Sequence, residues 1–314
     1  MASRPPLLIP AHCHPRFWLT WLLLGAARLV ARLPPGPGLA LGRGLGRLGL
    51  RIAGERQRIA RINLALCFPT LGELERQRLL RRHFQSLGMA LMETAWCWCL
   101  PPNRLRDRLR DISGEHHLRE ALNGGRGVIV LAAHFTHLEI GSTLLGLHYP
   151  GAAVYRPHRN SLLETFIQRR RGRHNVGGQL IPKARPRGML KILRENHFLW
   201  YAADQDYRGA ASMFVPFFGV LAASNAAIIR LARLSSAPVL PFYQERLDDG
   251  GYRLVFLPPL ENFPTDDPGR DMACIHRILE AMIRRQPADY LWVHRRFKTR
   301  PPGERPIYAR SRKL

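Results

Sequence analysis

Short apolar runs alternate along this chain with longer stretches that hold few helix breakers, and no other feature narrows the fold as much. GVIVLAAH, residues 127–134, is entered through the turn NGGRG and reads as a buried strand. AAVYR around Val154, HFLWYAA ending at Ala203, APVLPFYQERL around Val239 and YRLVFLPPL around Val255 read the same way. Residues 161–173, 187–196, 225–234 and 270–285 between them have helical composition, as does 74–100 upstream. Strands separated by helices of this length pair through crossovers, which predicts an α/β fold with a mostly parallel central sheet flanked by helices on both faces. Reactive groups in such sheets gather where strands end. His134, Asp204 and Tyr155 of the YRP segment each follow a strand-like run, so three segments are expected to converge on one edge.

Charge adds a second constraint. The 314 residues carry 48 Lys and Arg against 23 Asp and Glu, a formal +25, which calls for an anionic partner: a nucleic acid, an anionic membrane, or a phosphorylated substrate with an acidic carrier. The arginines are spread through helices and loops and accompany no nucleic-acid-binding motif, so no nucleic acid partner is expected. The five cysteines include the pair Cys97 and Cys99 in WCWC. One intervening residue is the wrong spacing for a C-x-x-C site, and the apolar setting predicts buried free thiols, which suits a reducing compartment.

FWLTWLLLGAA, residues 17–27, is uncharged, contains Trp18 and Trp21, and is flanked by Arg16 and Arg28. A full membrane span needs about 20 apolar residues. This segment is shorter, so it is expected to touch lipid either by crossing with snorkelling arginines or by lying in the interface. After the break LPPGPG, Arg43, Arg47 and Arg51 recur every four residues beside Leu45, Leu48 and Leu50, which reads as a basic stripe for headgroups or as an ordinary solvated helix face. Gly42, Gly44, Gly46 and Gly49 lack the strand and the G-K-[ST] of a phosphate loop.

The sharpest chemical feature is HFTHLE, where His134 and Glu139 flank a strand-to-helix turn. A histidine is neutral enough near pH 7 to take a proton from an alcohol, and a carboxylate on its other nitrogen would fix the tautomer and stabilise the imidazolium. Two alternatives stand beside this reading: Thr136 and Glu139 also spell a T-x-x-E capping box, and His137 is a second imidazole. No G-x-S-x-G elbow, H-E-x-x-H or paired C-x-x-C occurs, and neither a metal nor a cofactor is expected. The adjacent His116 and His117 are expected to be exposed.

An ordered set of segments then resembles the late acyltransferases of lipid A biosynthesis, within the H-x4-D/E acyltransferase superfamily: HPRFWLTWL, RINLALCFP, AAHFTHLEIG, VYRPHRN, LWYAADQDY, FVPFFGV and YLWVHRRFKTRP. The resemblance spans nearly the whole chain. It implies an inner-membrane enzyme, active on the cytoplasmic face, that moves a fatty acyl chain from acyl carrier protein to a hydroxyacyl chain of a Kdo-bearing lipid A precursor. Two alternatives remain: acylation of another anionic lipid, a lysophospholipid or glycolipid, by the same dyad, and a non-enzymatic basic protein that binds membranes or nucleic acid. A membrane-associated region, 1–36, would precede an acyltransferase domain, 37–314, with a basic C-terminal tail. Family positions fall on His134, Glu139, Arg171 and Asp204, with Arg170 or Arg173 as substitutes for Arg171 and Asp206 as a substitute for Asp204. Arg171 and Arg173 would bind anionic groups, and Asp204 or Asp206 would orient an arginine or a sugar hydroxyl; Phe214, Phe217 and Phe218 of FVPFFG read as a wall near the acyl chain or, the commoner use of such a run, as core packing. Ala203 and Arg208 depart from the Pro and Gly that the family carries around that Asp.

Overall fold

The computed structural model describes residues 10–174, 179–209 and 212–309, with side chains of 172–179 outside the description. Two 3-10 turns lead into α1 (Trp18–Val30), α2 (Pro35–Ile52), α3 (Gly54–Cys67), α4 (Glu73–Cys99) and α5 (Pro102–Arg106). The α/β part follows: β1 (Leu109–Ser113), α6 (Glu115–Asn123), β2 (Val128–Ala132), α7 (Leu138–His148), β3 (Gly151–Tyr155), α8 (Ser161–His174), β4 (Gln179–Pro182), α9 (Pro186–Arg194) and β5 (Phe198–Ala202). A hairpin, β6 (Ser212–Phe217) and β7 (Val220–Asn225), precedes α10 (Ala227–Ser235), β8 (Val239–Arg246), β9 (Tyr252–Phe256) and α11 (Pro268–Arg285).

Seven strands form one sheet in the order β1-β9-β8-β2-β5-β3-β4, and only β8 and β9 pair antiparallel. The expected mostly parallel α/β architecture is therefore present. β2 is buried at every position, as VIVLA predicts for a strand covered on both faces. Gly127, at φ +66, completes the turn into it, where a Cβ would stand 2.6 Å from the Leu193 carbonyl oxygen. β1, β4 and the β6/β7 hairpin go beyond the strands read from the sequence.

Two cores cover the two faces. One contains Ile140, Leu144 and Leu145 of α7 with Trp96 of α4; the other contains Met189, Ile192 and Leu193 of α9 with Ile228 and Ile229 of α10. The path β2-α7-β3-α8-β4 runs outward across the sheet and β4-α9-β5 returns. Right-handed crossovers then place α7 and α9 on opposite faces.

The glycines of α2 serve helix packing. Gly38, Gly42 and Gly46 face α4 so closely that a Cβ on Gly46 would lie 2.1 Å from the Phe84 carbonyl oxygen, and one on Gly88 would lie 1.9 Å from that of Gly42. The expected division after residue 36 falls within the first turn of this helix. Arg43 and Arg47 are solvated, as a helix face would be, while Leu41, Leu45, Leu48 and Ile52 are exposed beside them. No helix among the described residues is long and apolar enough to cross a membrane.

The segment read as a basic tail is anchored in the core at Arg296, Phe297 and Tyr308, while Lys298 and residues 302–306 are exposed. Phe217 and Phe218 also depart from the expected acyl wall. They pack with Phe68, Tyr290, Trp292 and Phe297 in the core, leaving Phe214 outside. The described cysteines are all free, with Cys97 buried and Cys99 half-buried. His116 is exposed as expected, whereas His117 is half-buried.

Candidate active site

Parallel pairing sets Ala132 of β2 beside Ala202 of β5. Two residues further along each chain stand His134 and Asp204, so equal offsets from one register deliver them to the same place. The chain leaves β2 for α7 on one face and leaves β5 for the hairpin and α10, whose core lies on the other. Divergence of neighbouring connections opens the crevice in which α/β sheets bind ligands.

Both Asp204 oxygens are used on His134: Oδ2 accepts the backbone N–H at 2.9 Å and Oδ1 accepts from the ring Nδ1 at 2.6 Å. A carboxylate only accepts, so the proton sits on Nδ1 and Nε2 carries the lone pair. Asp204 is 1% exposed and the His134 side chain 23% exposed, so the pair is buried at its carboxylate end and open at its imidazole end. Burial pushes the His134 pKa down, but the charge and hydrogen bond of Asp204 outweigh it and hold the ring above its ordinary value. Burial pushes Asp204 up, and the charge of His134 with its two hydrogen bonds overrides this and holds the carboxyl well below the usual range.

Glu139 therefore does not brace His134 as the sequence reading expects. It lies in the first turn of α7 and accepts from Arg171 Nε at 2.9 Å, from Arg171 Nη2, and from Trp98 Nε1 at 3.1 Å. The capping box is absent as well. Thr136 Oγ1 meets Ser86 Oγ at 2.5 Å and accepts from Arg246 at 3.2 Å, and His137 occupies the N-cap without a side-chain cap bond. His137 is fully buried, donates from Nε2 to the Gln244 carbonyl at 2.9 Å, and is pushed down to about 4, first by burial and then by Arg246.

The loop holding His134 is stapled to residues 289–291. Thr136 N–H donates to the Asp289 carbonyl at 2.7 Å and Leu291 N–H to the His134 carbonyl at 3.0 Å. Asp206, the substitute for Asp204, accepts instead from Thr299 N–H and Oγ1, each at 2.9 Å. Arg170 stacks over Phe166, and the side chain of Arg173 lies outside the described residues. Tyr155 ends β3 on the same sheet edge and donates to Glu164 at 2.8 Å. The sequence reading missed Trp98, Arg246, Asp289 and Leu291; only WCWC and the YLWVHRR segment carried any signal of them.

A buried carboxylate that orients a partly exposed imidazole at the ends of two neighbouring parallel strands is an arrangement suited to general-base chemistry in an α/β protein. The pattern described as "Bacterial lipid A biosynthesis acyltransferase" matches residues 9–299. The chain belongs to that family. It is 40% identical over 300 residues to the lipid A biosynthesis lauroyltransferase of Escherichia coli (strain K12), covering 95% of this chain and 97% of the other. It is 41% identical over 298 residues to the palmitoleoyltransferase of the same organism, covering 94% and 96%. Against its myristoyltransferase it is 30% identical over 308 residues, covering 95% and 92%.

Proposed function

We propose that the protein is an O-acyltransferase of late lipid A acylation, lauroyl-type, which moves a fatty acyl chain from acyl carrier protein to the hydroxyl of a lipid-bound 3-hydroxyacyl chain. The observation that carries this reading is the tautomer lock: Asp204 holds Nδ1–H at 2.6 Å and leaves the basic Nε2 at the open end of the ring. In the reaction His134 Nε2 takes the hydroxyl proton as the oxygen attacks the thioester carbonyl. The C–S bond then breaks and the imidazolium returns the proton to the departing thiolate. Asp204 stabilises the charge that passes through the ring. No protein nucleophile is required. Glu139 is a positioning residue that fixes Arg171, whose guanidinium suits phosphate or developing oxyanion charge.

The working place we propose is the cytoplasmic face of the inner membrane. Trp18, Leu19, Leu22, Leu23 and Leu29 of α1 are each more than 60% exposed, and Leu41, Leu45, Leu48 and Ile52 of α2 extend an apolar surface suited to lying in a lipid interface. The test is transfer from purified acyl carrier protein thioester to a Kdo-bearing lipid A precursor, read by mass spectrometry, which also gives the chain length. Wild type is expected to add one acyl group and His134→Ala to lose about 10²- to 10⁴-fold in rate. A His134→Ala variant with near-normal transfer would sink the mechanism.

A further inference from the structure

The carboxyl ends of β3, β4 and β5 form a rim on one side of the His134–Asp204 pair, and its ionic character is one-sided. The loops that leave these strands expose Arg156, Arg159, Lys183, Arg185, Arg187 and Arg208. Their acids are used internally: Asp206 by Thr299, and Glu164 by Tyr155, Gln168 and the His158 N–H. Among the described residues none of the six cations forms an ion pair. Like charges gathered without partners repel one another and set up a field that draws an anionic partner.

The fold divides this rim in two. Asn160 donates to Thr20 of α1 at 2.8 Å, so the loop of Arg156 and Arg159 stands beside the exposed apolar helix, on the lipid side. The β4–α9 turn lies toward the other face, because α9 returns across the sheet against α10 and its buried Met189, Ile192 and Leu193 join the opposite core. This turn is rigid. Pro182 and Pro186 bracket it, Lys183 N–H donates to the Tyr155 carbonyl at 2.9 Å, and Arg185 N–H donates to the Pro182 carbonyl at 2.8 Å. Arg208 follows Tyr207, whose N–H donates to the Ala223 carbonyl of β7 at 3.4 Å, and Phe217 and Ala222 of that hairpin belong to the same opposite core.

Resting on the functional reading above, we propose that Lys183, Arg185, Arg187 and Arg208 form the docking surface for the acidic carrier protein that brings the acyl thioester. A soluble anion reaches the crevice from the side that α1 does not occupy, and there these four exposed cations stand where the chain leaves the strand ends beside the His134–Asp204 pair, whereas the exposed Arg230, Arg277 and Arg284 belong to helices α10 and α11. A fixed turn also presents its charges without a large ordering loss, which favours specific docking of a protein over diffuse counterion binding.

The test uses the full-length enzyme and the triple variant Lys183→Glu/Arg185→Glu/Arg187→Glu, its fold checked by thermal melting. With acyl carrier protein thioester as donor, KM for the donor is expected to rise about tenfold or more, with acceptor KM and anionic-vesicle binding unchanged. With a small uncharged acyl N-acetylcysteamine thioester, turnover is expected to match wild type. An unchanged carrier KM would overturn the docking surface, as would a loss confined to acceptor KM or vesicle binding, which would give these cations to the lipid. A wild-type enzyme inactive with the carrier thioester would overturn the donor assignment and the docking surface together, whereas the former outcomes leave the donor assignment standing.

Discussion

β2 has β8 on one side and β5 on the other, and the end of β8 and the shared end of β2 and β5 treat buried charge in opposite ways. At the end of β8, Arg246 meets Glu93 at 2.5 Å and Asp289 at 2.6 Å, with Ser86 and Thr136 filling its remaining donors and Tyr252 donating to Glu93 at 2.7 Å. This network is closed, and Glu93 is wholly buried. At β2 and β5 the partner of Asp204 is an imidazole with one nitrogen still available. A saturated network rigidifies the loop that it holds, whereas an incomplete one can exchange a proton. The first steadies Thr136, two residues from His134; the second holds the proposed base.

Substitutions that swap or weaken these roles test the contrast, and the largest effect is expected at Asp204. His134 acts when neutral and its pKa is held above the ordinary value, so kcat/KM falls as pH drops through that raised pKa. Asp204→Asn removes the charge responsible, which should move the acid limb of the profile to lower pH and lower the plateau by about 10²-fold or more. Glu139→Gln should leave the limb in place, since Glu139 holds Arg171 and not the imidazole. A limb that moved with Glu139 instead would reverse the assignment of the two carboxylates.

The closed network should answer in stability. Glu93→Ala strips one carboxylate from Arg246 and the acceptor from Tyr252, and chemical denaturation should register a loss of about 3–5 kcal/mol with the pH limb unmoved. On the side of α4 that faces α2, Gly88→Ala must push α2 off α4, because the added Cβ would meet the Gly42 carbonyl oxygen at 1.9 Å. A loss of about 1–3 kcal/mol in the same measurement is expected. The smallest effect is expected for Trp98→Phe, which removes one of the donors to Glu139. About 0.5–1.5 kcal/mol of stability should go, with the acid limb again unchanged.

Strand existence was legible because VIVLA is apolar and β-branched, and GAAVY and FLWYA apolar and aromatic, enough to demand burial, and helix α4 because residues 74–100 hold few breakers. The β6/β7 hairpin was not, since SMFVPFFGV reads as readily as a pocket wall until Phe217 is seen to pack on Phe297 and Tyr290. Nor were the contacts of residues 287–309, which carry no regular periodicity yet bury Trp292, Arg296 and Phe297. His134 and Asp204 could be picked out singly as strand ends. Their pairing could not, because Glu139 is near in sequence and Asp204 is seventy residues away.

What the amino-acid order determined by itself is local: which segments must be buried strands, where they stop, and that a histidine and an aspartate stand at two of those stops. Only the tertiary structure decided which carboxylate the histidine meets. A parallel strand has no local preference for its neighbour, and it was the order β2-β5-β3, with Ala132 in register with Ala202, that set Asp204 against the ring and left Glu139 to Arg171.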